Sequence, residues 1–328
     1  MRRASSVLVM LLCLIAASAG PTTAVDFGLD FAGSYVGASL GSVPGLPPLY
    51  GGLTFVDPST ILIGGNANTD AGRLYTIGVT RDAGNHITGF FGSAALFPGA
   101  GSTIGAFNDG GVVFGPGGVL FTSRWPVNQL GQTKPGSSSE DKIVDLAALG
   151  VAQSHAALNF VPAGFGGAGR LKLVSWAGGQ WYDAGLSADG SGTFNLVGLS
   201  QVVASTVPGG PEGFVYIRAG NAGFSVNSIL ISEFSAGAIG AYDVDAEGNP
   251  VIASRRSFLS GLTGAEGAAI DPLTGDFLFS TFGGGNQIFR VEGFQAPSTV
   301  PEPTTLLLVS TVLAGLTVAL RTRRHKER

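Results

Sequence analysis

The chain repeats itself. Two small residues, an apolar stretch, a turn and a second apolar stretch recur as GGLTFVDPSTILIGG from Gly51, GGVVFGPGGVLFTS from Gly110, AALNFVPAGFGGAGRLKLVS from Ala156 and GAAIDPLTGDFLFST from Gly267. The prolines of these segments, Pro58, Pro116, Pro162 and Pro272, are 58, 46 and 110 residues apart, so the last gap spans two periods. The copy due in that gap is GFVYIRAGNAGFSVNSILIS from Gly213, which keeps both apolar stretches and lacks the proline. A second half follows. Gly72-Arg73-Leu74-Tyr75 leads to Asp82-Ala83-Gly84-Asn85, Trp181-Tyr182 to Asp189-Gly190-Ser191-Gly192, and Ile239 to Tyr242 to Asp245-Ala246-Glu247-Gly248-Asn249. Asp and Gly suit hairpin tips, because Gly tolerates positive φ and Asp hydrogen-bonds its own backbone. Each unit therefore reads as two hairpins, four short strands, and five such units are visible.

Four-stranded units at a period of about 40–60 residues are the signature of a β-propeller blade. The expected fold class is all-β, a five- or six-bladed propeller. Its small, apolar first strands should line the central channel. The last unit contains Gln287 to Val291 and runs out before a fourth strand. The alternating stretch Val25 to Phe31 is the expected closing strand, and residues 32–50 are the source of any sixth blade. A β-helix would need coils of about 20–25 residues, a period absent here. The 53 glycines work against long helices, since each interior one costs about 1 kcal/mol relative to alanine.

Charge narrows the partners. From Gly20 to Thr299 there are 20 acidic and 11 basic residues, a net of −9, while the positive charge gathers at the two ends. So acidic a body argues against nucleic acid and anionic lipid and is compatible with cations or neutral glycans.

The ends read as targeting segments. Arg2 and Arg3 precede an apolar run from Val7 to Ala17, then small residues up to Ala24, the pattern of a secretory signal peptide over 1–24. Cys13, the single cysteine, lies inside that run, so the processed chain would hold no thiol and no disulfide. At the other end Pro301-Glu302-Pro303 precedes an uncharged run, Thr304 to Leu320, and a basic tail with Arg321, Arg323, Arg324, Lys326 and Arg328. Seventeen helical residues span about 25 Å, enough for a thin bilayer with the cations on the cytoplasmic side. This segment, 300–328, resembles the PEP-CTERM sorting signal of proteins exported by Gram-negative bacteria that make exopolysaccharide. The resemblance implies recognition by a membrane-embedded exosortase and cutting near the Pro-Glu-Pro. It leaves 25–299 as the propeller.

Chemistry could sit at one repeated position, the residue before the small pair that opens each first strand: Tyr50, Asp109, His155, Glu212 and Glu266. In a propeller these should gather at one mouth of the channel. Asp109, His155, Glu212 and Glu266 are the candidate metal ligands, with calcium the cation that hard oxygens suit. The pairs Glu212-Gly213 and Glu266-Gly267 resemble the Glu-Gly strand start of calcium-dependent, six-bladed lactonases, which would imply a metal-dependent hydrolase. Asp243, Asp245, Glu247 and Gly248 look like the opening of an EF-hand loop, but position twelve is Ser254 and no helices flank it, so a hairpin tip is expected. Trp125, Trp176 and Trp181 offer either a sugar-stacking face or packing between blades. The expected role is a non-enzymatic binding or structural module in the exopolysaccharide or envelope, with exosortase as a partner. The alternative is the lactonase-like hydrolase.

Overall fold

Each repeat folds as one four-stranded antiparallel sheet in the computed structural model, which describes residues 25–202 and 206–296. Blade 1 is β3 (Leu53–Asp57), β4 (Thr60–Gly65), β5 (Arg73–Arg81) and β6 (Ile87–Leu96). Blade 2 is β7 (Asn108–Phe114), β8 (Leu120–Arg124), β9 (Gln129–Thr133) and β10 (Lys142–Asp145). Blade 3 is β11 (His155–Phe160), β12 (Leu171–Ser175), β13 (Trp181–Ala188) and β14 (Phe194–Gln201). Blade 4 is β15 (Pro211–Ile217), β16 (Ser228–Glu233), β17 (Ala238–Asp243) and β18 (Arg256–Ser260). Blade 5 takes β19 (Ala265–Ile270), β20 (Phe277–Thr281) and β21 (Ile288–Glu292) from the end of the repeats, and β2 (Val36–Gly41) from their beginning. The molecule is an all-β, five-bladed propeller.

The ring closes as a sequence short of one strand must, but not with the expected segment. Val36–Gly41 pairs with Ile288–Glu292 and completes blade 5. The upstream stretch forms only β1 (Asp26–Phe27), which pairs with Ser260 and Leu259 as a fifth strand outside blade 4. Alternation marked 25–31 as a strand, yet Phe31 is fully buried against Phe224 and Phe258, an anchor between blades 4 and 5 rather than a ladder position. Residues 32–50 are used by the closing strand and the lead into blade 1, and the described residues form no sixth blade.

The core lies in the seams. Five separate hydrophobic clusters occur among the described residues, one between each pair of neighbouring blades. Trp181 belongs to the seam of blades 3 and 4, fully buried with its ring centroid 4.6 Å from that of Phe214. The turn aspartates behave as their type dictates. Oδ1 of Asp82 accepts from the amides of Gly84 and His86, and Oδ1 of Asp245 from those of Glu247 and Asn249. The EF-hand-like stretch is therefore a hairpin tip.

Glycine closes the axis. A Cβ on Gly267 would lie 2.6 Å from Gly52 Cα, and one on Gly213 would lie 2.5 Å from the amide nitrogen of Ala268. Side chains cannot enter this waist, which divides the channel into two cavities. The larger, about 440 Å³, lies toward the ends of the inner strands and is lined by Phe55, Val113, Phe160 and Tyr216, with Gln295 and Ala296 beside them. The smaller, about 180 Å³, lies where those strands begin.

No helix among the described residues is long and apolar enough to cross a membrane. The signal peptide, the Pro-Glu-Pro triplet and the 304–320 span lie outside the described residues.

Candidate cation site at the channel mouth

Asp109, Glu212 and Glu266 start the inner strands of blades 2, 4 and 5, and a shared distortion aims them. Ladder register breaks between Asn108 and Val112, between Pro211 and Phe214, and between Ala265 and Ala268, with a matching break in blade 3 between His155 and Ala157. A bulge redirects the side chains that it carries. Blade 1 carries an equivalent irregularity, where Gly51 and Gly52 together oppose Gly64: the Gly51 amide donates to Gly64 O and the Gly64 amide to Gly52 O. Tyr50 nevertheless turns away into the seam of blades 5 and 1, where its hydroxyl accepts from the Val43 amide at 2.9 Å.

The three carboxylates converge. One oxygen from each lies within 4.8 Å of the others, and the residues are 1 %, 4 % and 1 % exposed. His155 is equally buried but is not part of this trio. Its ring nitrogens have no hydrogen-bond partner, and burial lowers its pKa to about 3, so the imidazole is neutral.

Three acids packed so closely resist ionisation. Burial raises Asp109 to about 7, against hydrogen bonds from Glu266, Asn68 and the Gly110 backbone that pull it down. Burial and the Asp109 charge raise Glu212 well above the carboxylate range, and burial with the charges of Glu212 and Asp109 does the same to Glu266. Each carboxyl keeps one buried oxygen with no partner: Asp109 Oδ2, Glu212 Oε2 and Glu266 Oε1. Buried polar oxygens normally find partners, so three orphans in one place describe a seat built for something positive or protic.

Glu212 and Glu266 form the polar floor of the smaller cavity, and its other walls are Asn68, Trp125, Trp176, Phe234 and Phe282. The Asn68 amide, with its nitrogen turned inward, donates to Asp109 Oδ1 at 2.9 Å and to Asn108 O at 3.1 Å. The four aromatics are one repeated position. Each directly follows the second strand of its blade, after Arg124, Ser175, Glu233 and Thr281, and blade 1 has Asn66 there. Sequence reasoning singled out Trp125 and Trp176 but missed Phe234, Phe282 and Asn68, and with them the crown as one repeated position. The signal was present, because aligning the repeats on their second strands puts Trp, Trp, Phe and Phe in register. Of the three tryptophans, the structure brings Trp125 and Trp176 to the mouth and leaves Trp181 in a seam.

Comparison with known proteins gives one family match. The PEP-CTERM protein-sorting motif matches residues 299–324. A comparison with curated proteins gave no match. Among solved structures the chain is similar to glutaminyl cyclase of Myxococcus xanthus, with 14 % identity, coverage of 79 % of this chain and 96 % of that one, and a TM-score of 0.46. It is also similar to the pyranose dehydrogenase domain of Coprinopsis cinerea, with 10 % identity, coverage of 82 % and 97 %, and a TM-score of 0.40. An aldose sugar dehydrogenase of Streptomyces coelicolor matches with 14 % identity, coverage of 77 % and 83 %, and a TM-score of 0.38. At these similarities no activity transfers. The chain is a five-bladed β-propeller that carries a PEP-CTERM protein-sorting motif, the mark of an exported, envelope-directed protein handled by an exosortase.

Proposed function

We propose that this protein is a binding module of the envelope or the exopolysaccharide matrix, and that its propeller seats a cationic group at the small mouth of the channel. In this reading 1–24 is removed on export, 304–320 anchors the chain until an exosortase acts near Pro301-Glu302-Pro303, and 25–299 is the working body. The observation that carries the reading is the buried trio Asp109, Glu212 and Glu266, each with a partnerless oxygen, two of whose members, Glu212 and Glu266, line the smaller cavity. Orientation supports it. Ala296, the last described residue, lines the large cavity, on the face opposite the mouth. A tether there leaves the mouth free.

Calcium on the trio, and with it the lactonase-like alternative, would use the same oxygens. The trio fits part of that need. Calcium takes about 6–8 oxygen ligands, whereas the wall of this cavity opposite the carboxylates is carbon. Binding without catalysis is the reading that the donor set supports best.

The test is the thermal stability of the purified full chain against a panel of inorganic and organic cations at pH 7.5, beside the Glu212→Gln/Glu266→Gln variant. A saturable rise with at least one cation, abolished in the variant, is expected. No response to any cation, or an equal response in both proteins, refutes the cation seat.

A further inference from the structure

The aromatic crown says which kind of cation. Trp125, Trp176, Phe234 and Phe282 form an unbroken series, with successive centroids 6.4, 6.4 and 6.1 Å apart and interplanar angles of 76°, 70° and 66°. Those angles approximate the turn of about 72° between neighbours in a five-membered ring of blades, so the rings are one wall repeated by the fold. All four are half-buried, with the cavity between them rather than a packed core. At a spacing of 6.4 Å around five positions, the centroids stand about 5.4 Å from the axis, inside the roughly 6 Å reach of a cation–π contact.

We propose that the mouth is an aromatic cage for a methylated ammonium group, a cation of the trimethylammonium class, held between the four rings and the carboxylates Glu212 and Glu266, with Asp109 beside those two. This deepens the proposed function and rests on its cation seat. Charge is supplied by the floor and shape by the crown. The cavity of about 180 Å³ equals about six water volumes, room for more than a bare metal ion. A quaternary nitrogen has no N–H and so needs no hydrogen-bond acceptor, and its methyl groups lose less on leaving water than a bare metal ion does, which carbon walls reward. A small, strongly hydrated metal ion gains nothing from those walls and would have to give up its waters for three carboxylates alone. Asn68, on the blade 1 side of the mouth where no aromatic ring stands, donates to Asp109.

The full chain is titrated with choline, tetramethylammonium, the neutral choline isostere 3,3-dimethylbutan-1-ol, calcium chloride and zinc chloride. Binding is read by calorimetry and by fluorescence, since Trp125 and Trp176 report the mouth while Trp181 is sealed in a seam. Saturable binding of choline and tetramethylammonium is expected, with no binding of the neutral isostere. Affinity should fall about tenfold in Trp176→Ala, survive within about threefold in Trp176→Phe, and vanish in Glu212→Gln. Circular dichroism of each variant separates lost binding from lost fold. Binding of calcium or zinc but not of choline, unchanged in Trp176→Ala, overturns the cage and leaves the cation seat standing. Binding of the neutral isostere as tightly as choline also overturns it. Binding of no cation at all overturns both.

Discussion

The mouth should destabilise the protein as pH rises, and Asp109→Asn should remove part of that penalty. Asp109 is held at about 7, and a carboxyl raised about 3 pH units above its ordinary value corresponds to about 4 kcal/mol. The folded state binds this proton more tightly than the unfolded chain does. Its contribution to stability is therefore full below about pH 4 and is lost as pH climbs through about 7. For a domain of this size about 1 kcal/mol moves the Tm by about 2–4 °C, so the Asp109 share is of order 10 °C. Asparagine keeps the side-chain shape and an oxygen for the Asn68 amide to donate to. Differential scanning calorimetry of the wild type and Asp109→Asn at pH 4.5 and pH 8 is the assay. The variant should be the more stable at pH 8 by several degrees, with the gap closing or reversing at pH 4.5. A gap of the same size and sign at both pH values would refute the reasoning, because it would show that no proton is taken up on folding at this site.

Three other outcomes follow from the seams and the axis. Lys172 is fully buried, with its Nζ 2.7 Å from Asp183 and 2.6 Å from Asn249, so Asp183→Ala should strand the ammonium and cost about 3–5 kcal/mol in urea unfolding. Gly267→Ala drives a methyl into Gly52 at the waist, and a loss of about 1–3 kcal/mol is expected in the same assay. His86 Nδ1 lies 2.7 Å from Asp276 across blades 1 and 5, and that hydrogen bond raises the His86 pKa. Its stabilisation is full below about pH 6.5 and is lost as pH rises through the raised value, so the Tm deficit of His86→Gln should shrink between pH 6 and pH 9.

Much of the fold was legible because propeller blades are local. A hairpin announces itself by its own turn, which is why Asp82, Asp189 and Asp245 located the outer hairpins and Pro58 and Pro116 the inner ones. The long-range pairings both involve the N-terminal segment, β2 with Ile288–Glu292 and β1 with Arg256–Ser260, and sequence alternation misjudged which of the two closes the ring. Residues 25–31 carry the bolder period-two pattern, with large apolar residues against Asp and Gly, whereas VGASLG at 36–41 alternates Val, Ala and Leu with Gly and Ser in a lower contrast, and it is this segment that pairs with Ile288–Glu292. The acidic trio was legible as a repeated position. The divergence of Tyr50 was not, because its ring is taken up by the seam of blades 5 and 1, a packing choice that the repeat alignment does not show. The aromatic crown went unread for another reason: each ring sits just past a strand, where a lone Trp or Phe in a loop carries no signal until the blades are superposed.

The central claim is that the mouth holds protonated carboxyls which a cation can ionise. Infrared difference spectroscopy of the full chain reads this directly, because the C=O band of a protonated carboxyl is separate from that of a carboxylate. At pH 7 the account predicts a protonated-carboxyl band that weakens on adding choline and is reduced in Glu266→Gln. A spectrum with no such band at pH 7, or one that choline leaves unchanged while it binds, would contradict it.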